Sequence, residues 1–250
     1  MVSAHGASLA MFPFQSVKRV ATRNEAIEYV ESAIRRDGGA DFFKVVLDQP
    51  GLDVEIIAAA TTTAQRLGKL VMGHASQVAA YRLALQTGCD MVTPVPLDGP
   101  LDEDMVRELA QRGIGVIPTL AFLRKAVTEG RMPQVAYEHA KTAVRALRQA
   151  GVSVCAGSSS NPCSENGEVA VAHGSGLMEE LHLLEVDGGM TRPELLRAAT
   201  SAPAALFRLA DRGVIAEGRR ADMLLVRGSP LEGAGLSNRI LKVWVAGVEV

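Results

Sequence analysis

The sequence predicts an α/β protein: a truncated (β/α) barrel of parallel strands that ends in a small β appendage. Three observations carry this expectation. Apolar, strand-like runs alternate with helical patterns from about residue 25 to residue 190, giving five strand–helix units. Repeated units of this kind form a parallel sheet with right-handed crossovers. From about residue 211 the pattern changes to short strands and turns. A complete barrel takes about 250 residues for its eight units, so five units leave it incomplete. The expected division is therefore a partial barrel over 1–210 and a β-domain over 211–250.

The elements follow in order. Residues 25–36 carry apolar positions at helical spacing, and 41–47 read as a strand. A helix over 53–67 opens with Asp53 and Glu55, whose charges suit a helix N-terminus. Strand 69–74 precedes a helix over 76–87 that stops at Gly88. Strand 90–95 leads to a helix over 102–112, with Asp102, Glu103 and Asp104 in its first turn and Gly113 after it. Strand 114–118 precedes a long helix over 133–150, closed by Gly151. Strand 152–157 follows, then helices over 174–188 and 192–210. In the appendage, Gly213–Gly218 and Ala221–Val226 read as short strands, and Ile240–Val250 as a hairpin.

Composition narrows the function classes. A chain of 250 residues that is 48% hydrophobic and 22% charged can bury a large core. Its net charge of −2 gives no electrostatic reason to expect nucleic acid or an anionic membrane as partner. Aromatic residues make up only 4%, too few for a base-stacking surface. No apolar run reaches the roughly 18 residues of a membrane helix. The N-terminus lacks the basic start and apolar stretch of a signal peptide. Cys89, Cys155 and Cys163 form no Cys-x-x-Cys pair, and an odd count without a secretion signal fits reduced thiols in a cytoplasmic protein.

Four strand ends carry a recognisable pattern. These are Asp41-Phe-Phe-Lys-Val-Val, Lys69-Leu-Val-Met-Gly-His-Ala, Gly88-Cys-Asp-Met-Val-Thr-Pro-Val-Pro-Leu-Asp and Ala150-Gly-Val-Ser-Val-Cys-Ala-Gly-Ser-Ser-Ser-Asn. The tail is more specific. Met190-Thr-Arg-Pro-Glu-Leu-Leu-Arg-Ala-Ala-Thr precedes Asp211-Arg-Gly-Val-Ile-Ala-Glu-Gly-Arg-Arg-Ala-Asp-Met-Leu-Leu-Val, and Gly228-Ser-Pro-Leu follows. From about residue 25 to 250 the chain resembles the amidohydrolase superfamily, in its imidazolonepropionase- and prolidase-like branch. The resemblance implies a TIM-like barrel whose fourth, fifth, sixth and eighth strands are these four segments. It places Lys44 where the family has a lysine that can be carboxylated to bridge two metals, and His74 where it has a histidine ligand.

The departures are as informative. No His-x-His pair occurs in the sequence. Pro94 stands at the family's sixth-strand histidine and Ser159 at its eighth-strand aspartate, and the chain begins near the family's third or fourth strand. A zinc site needs about three or four protein ligands, and of the family's set only Lys44 and His74 remain. The expectation is therefore no metal and no other cofactor.

Each candidate residue has a functional and a structural reading. His74 is a base or hydrogen-bond donor, or an idle inherited histidine. Lys44 is a substrate-steering cation, an amine with a burial-lowered pKa or a Schiff-base former; otherwise it pairs with Asp48, Asp90 or Asp98. Ser158 and Ser159 are ligand donors or filler, and no Gly-x-Ser-x-Gly elbow surrounds them. Thr93, Asp98 and Thr119 stand at or beyond strand ends and line the expected pocket. His173 precedes a helix, and His5 lies in the segment resembling the third-strand region. His74 and Lys44 are the expected catalytic pair, and Thr93, Asp98, Thr119, Ser158, Ser159, His173 and His5 the expected substrate contacts.

The expected function is metal-independent catalysis on a small, largely apolar metabolite: cyclisation, isomerisation or elimination, with a pericyclic cyclase of secondary metabolism as one concrete form. The alternatives are a metal-dependent amidohydrolase with a rebuilt site and a non-catalytic binding subunit. Because parallel strands are normally covered and open edges invite pairing, either residues 1–24 or a second copy in a homodimer is expected to cover the incomplete barrel.

Overall fold

The computed structural model describes residues 1–3, 17–160, 169–232 and 236–250. The chain forms two compact units, one of residues 1–117 with 150–152 and one of 118–149 with 153–250.

The first unit is a six-stranded, wholly parallel sheet. Its strands are β1 (Val2–Ser3), β2 (Lys18–Arg19), β3 (Phe42–Val46), β4 (Leu70–His74), β5 (Met91–Thr93) and β6 (Gly115–Val116), in the order β2-β1-β3-β4-β5-β6. The helices α1 (Arg23–Arg35), α2 (Val54–Arg66), α3 (Val78–Thr87) and α4 (Glu103–Arg112) connect them. These match the expected elements within a few residues. The two short strands β1 and β2 were not foreseen; they extend the sheet beyond β3, with Val2 opposite Val45.

Local chemistry explains the boundaries. Thr22 caps α1 by accepting from the Glu25 N–H at 3.2 Å, and Asp102 caps α4 by accepting from Met105 at 2.8 Å. Helices α3 and α4 end at Gly88 and Gly113 in the left-handed conformation, where a Cβ is costly. Strand β5 is three residues rather than the expected six because Pro94 has no N–H to donate to a ladder.

Register assigns the two sheet faces. Phe43, Val45, Val71, Gly73 and Val92 share one face, and Tyr29 of α1 meets Phe43 edge-on at 6.2 Å. Gly73 must be small: a Cβ there would lie 2.6 Å from the Leu47 side chain. The opposite face carries Lys44, Val46, Met72, His74, Met91 and Thr93.

The second unit contains α5 (Leu120–Thr128), α6 (Gln134–Gln149), α7 (Ser175–Val186), α8 (Arg192–Ala199) and α9 (Ser201–Leu206), then an antiparallel sheet of β7 (Met223–Val226), β8 (Ile240–Val245) and β9 (Val248–Glu249). Three expectations are corrected here. Helix α5 stands where the sequence pattern assigns no element. The helix expected over 192–210 breaks at Thr200, because the Pro203 ring lacks an N–H and conflicts with the carbonyl four residues earlier. The strand expected over 152–157 is reduced to an isolated bridge at Val154, and the Ala156 N–H donates to Ala198 at the end of α8 instead, at 2.9 Å. In the appendage, Gly213–Gly218 forms turns rather than a strand, while the segment before Val226 and the hairpin are β as expected.

Candidate active site

In the first unit the candidate residues lie in β3 and at the C-terminal ends of β4 and β5, toward the side where parallel α/β sheets place their sites. Lys44 lies two pairs before the β3–β4 register of Val46 with His74, and His74 pairs in turn with Thr93. All three side chains therefore project from one face. Burial lowers the Lys44 amine to about 8. Burial, and then the Lys44 charge, lowers His74 to about 3, so its imidazole is neutral throughout the physiological range. The two shifts have one origin, a site dry enough to penalise charge.

Asp48, two residues beyond β3, is the third member of this cluster. Its carboxylate lies 3.5 Å from His74 Nε2. With a neutral imidazole this is a polar contact rather than an ion pair. Burial raises the Asp48 pKa, while the Ser76 N–H at 2.7 Å and hydroxyl at 2.6 Å pull it back. Sequence reasoning weighed Asp48 only as a partner for Lys44. Its tie to the loop after β4 is a contact between residues 28 positions apart that no local pattern encodes.

Two neighbours stabilise the backbone here. The buried Tyr81 hydroxyl donates to the Pro94 carbonyl at 2.7 Å, and burial raises its pKa. Asp98 accepts from the Val78 N–H at 2.8 Å, at the start of α3. Asp90 accepts from the Val71 N–H at 2.8 Å, at the entry to the sheet. A recess of about 440 Å³ between α3 and α4 is a separate feature. The exposed Arg82–Asp102 ion pair lies among its lining residues, and none of the strand-end side chains does.

In the second unit Thr119 is buried, with φ 57° and ψ 40°, and opens α5. Ser158 and Ser160 share a 2.6 Å hydrogen bond, and Ser160 also donates to the Ala172 carbonyl at 3.1 Å. Ser159, in the left-handed region at φ 52°, is exposed. His173 is exposed in the turn before α7. His5 and Cys163 lie outside the described residues, while Cys89 and Cys155 are buried free thiols.

The second unit also holds a residue that sequence reasoning missed. Glu180 of α7 is fully buried, and its Oε2 accepts from the Ala121 N–H at 2.7 Å, with the backbone of Leu120 and Thr119 adding to it. Its Oε1 has no hydrogen-bond partner among the described residues. Burial raises its pKa to about 8 despite those backbone donors.

A family match now adds to this geometry. Residues 21–250 match the model of the amidohydrolase family. The chain belongs to that family. No curated protein matches the sequence. Among solved structures, A. niger ochratoxinase is similar with a TM-score of 0.80 at 18% identity, over 99% of this chain and 64% of that one. A putative prolidase from Bifidobacterium longum gives 0.77 at 21%, over 100% and 64%, and a Xaa-Pro dipeptidase bound to methionine 0.75 at 21%, over 98% and 63%. The chain thus spans less than two thirds of the length of these structures, and its fold is a truncated (β/α) TIM-like barrel with a small C-terminal β appendage. Among the described residues no helix is long and apolar enough to cross a membrane.

The donor set does not fit a metal centre of the kind this family implies. Among the described residues no three His, Cys, Asp or Glu side chains gather to hold an ion. At the strand ends, the position expected to carry a second histidine is Pro94, and Tyr81 already occupies its carbonyl. That leaves one imidazole, a carboxylate hydrogen-bonded to Ser76 and an uncarboxylated lysine amine, which is a poor ligand, so two good donors remain against the three or four a zinc site takes.

Proposed function

We propose that this chain is an enzyme that acts on a small, largely apolar metabolite without a metal, through cyclisation, isomerisation or elimination. A pericyclic cyclase of secondary metabolism is one concrete form. The observation that carries the reading is the placement of Lys44 and His74 on one sheet face, both shifted toward their neutral forms by burial. A neutral lysine amine can take a proton from a carbon beside a carbonyl. A neutral imidazole can donate a hydrogen bond to the developing oxyanion, and Thr93 adds a hydroxyl at the next strand end. The proton taken by Lys44 returns at another carbon in an isomerisation, or leaves with a departing group in an elimination. In a pericyclic step no proton moves, and the same donors activate the carbonyl while the site holds the reacting ends together. A cytoplasmic location and a small-molecule substrate, rather than a nucleic acid or membrane, are parts of this proposal.

Family membership favours a second reading, hydrolysis at a rebuilt metal site. The two separate in one experiment. Purified, chelator-treated protein is assayed with and without zinc, alongside the His74→Ala and Lys44→Met variants. Turnover that survives chelation, rises with pH toward about 8 as Lys44 loses its proton, and falls roughly 10–10⁴-fold in His74→Ala supports the proposal. Activity abolished by chelator and restored by zinc overturns it in favour of hydrolysis.

A further inference from the structure

The antiparallel sheet β7–β9 buries none of its residues. Its register shows how differently the two faces are built. Leu224 pairs with Val243 and Val245 with Val248, and the Val250 N–H donates to the Val243 carbonyl at 3.1 Å. Residues directly opposite, and alternate residues along a strand, share a face. One face therefore presents Leu224, Leu241, Val243, Val245, Val248 and Val250, all aliphatic. Exposure reaches 50% at both leucines, 46% at Val245, 65% at Val248 and 76% at Val250. The other face is mixed: Met223, Leu225, Ile240 and Trp244 lie there with Lys242 and Glu249. There Lys242 pairs with Glu249 at 2.8 Å and lies 6.0 Å from the Trp244 ring centre. That face satisfies its own polar groups in water, while the aliphatic face has no polar side chain at all.

We infer that the aliphatic face of β7–β9 is the contact surface between two copies of this chain, packed sheet against sheet about a two-fold axis. Two properties select a second copy over an unlike partner. First, none of the six side chains bears a charge, so apposing the face to itself buries no charged side chain, whereas a partner with a charged face would have to desolvate that charge. A two-fold contact requires this self-complementarity. Second, the area suffices. The six side chains expose on the order of 500 Å² per copy, so two copies bury roughly 1,000 Å², the lower bound of a specific interface. A contiguous apolar patch of that size lies at the upper end of what monomers leave in water. Twisted β-sheets pack face to face about 10 Å apart, with side chains interdigitating, and Val and Leu suit that geometry.

This inference is independent of the proposed chemistry, and its test does not measure activity. Sedimentation velocity across roughly 1–100 µM, comparing the whole chain with its variants, should show a reversible dimer of about twice 26.4 kDa. Val245→Lys and Leu224→Lys should each weaken association at least 10-fold by burying a charge at the contact. Val245→Thr keeps the shape and β propensity of valine, and should weaken it by a smaller factor without threatening the fold. Lys242→Ala, on the opposite face, should leave association unchanged. Far-ultraviolet dichroism of each variant confirms that the sheet persists. A wild-type monomer at 100 µM overturns the inference, as does a dimer indifferent to all three aliphatic-face substitutions. So does a dimer broken as strongly by Lys242→Ala. A monomer that instead takes up an unlike polypeptide on this face is a further overturning result.

Discussion

Replacing Glu180 by glutamine should remove a pH dependence of stability that the wild-type chain carries between about pH 5 and pH 8. Folding moves this carboxyl from its ordinary value of 4.5 to about 8. Between those values the unfolded chain has released the proton and the folded chain still holds it. The unfolded state therefore binds fewer protons, and stability falls as pH rises through that window, levelling once the folded group also ionises. At roughly 1.4 kcal/mol per unit, the full shift bounds the loss near 5 kcal/mol. Relaxation and water entry around a buried charge bring the expected loss to about 1–3 kcal/mol. Glutamine keeps an oxygen for the Ala121 N–H, so near pH 5 it should match the wild type within about 1 kcal/mol. The neighbouring Glu179 pairs with Arg124 at 3.7 Å in both proteins and cancels in the comparison. The assay is urea unfolding at half-unit pH steps from 5 to 9, analysed as the difference between the two proteins. Glu180→Gln should be the more stable by a growing margin as pH rises. A difference that stays flat, or that turns against the glutamine variant at high pH, would refute the account of a carboxyl kept neutral by burial.

Two further outcomes concern the frame of the strand-end site. Gly73→Ala should cost about 1–3 kcal/mol in chemical denaturation, because its Cβ would fall 2.6 Å from the buried Leu47 side chain; adding Leu47→Ala should give a double variant less destabilised than the sum of the single costs. Asp102→Ala should cost about 1 kcal/mol through loss of the cap on the Met105 N–H, with little from its exposed Arg82 pair, so an Arg82→Ala variant measured beside it should stay within about 0.5 kcal/mol of the wild type.

The parts of the fold that sequence alone revealed are those with local causes. Helices α3 and α4 could be bounded because Gly88 and Gly113 end them and Asp102 starts α4, all within one turn of the boundary. The strands β3 and β4 were legible because unbroken apolar runs mark a parallel strand covered on both faces. The failures share a different cause. Helix α5 has no capping side chain of its own at Thr119; the donors at its start are served by Glu180, 59 residues further along. Its run of Leu120, Ala121, Phe122 and Leu123 is apolar all round at that end, so no amphipathic period announces it. The segment 152–157 has strand composition, yet its backbone bonds to the end of α8, and composition does not choose a partner.

The same distinction governs the site. Lys44, His74 and Thr93 were legible because parallel strands in register place their C-terminal residues together whatever the side chains are. What those residues can do was not legible, since it depends on how dry the site is and on what each group faces. Burial lowers the Lys44 amine to about 8 and the His74 imidazole to about 3, and neither value belongs to the residue type. Asp48 shows the limit most clearly. From the sequence it is one of three alternative partners for Lys44, beside Asp90 and Asp98. In the fold it is held by Ser76 and turned toward His74. The strand ends thus bring an amine, an imidazole and a carboxylate to one site.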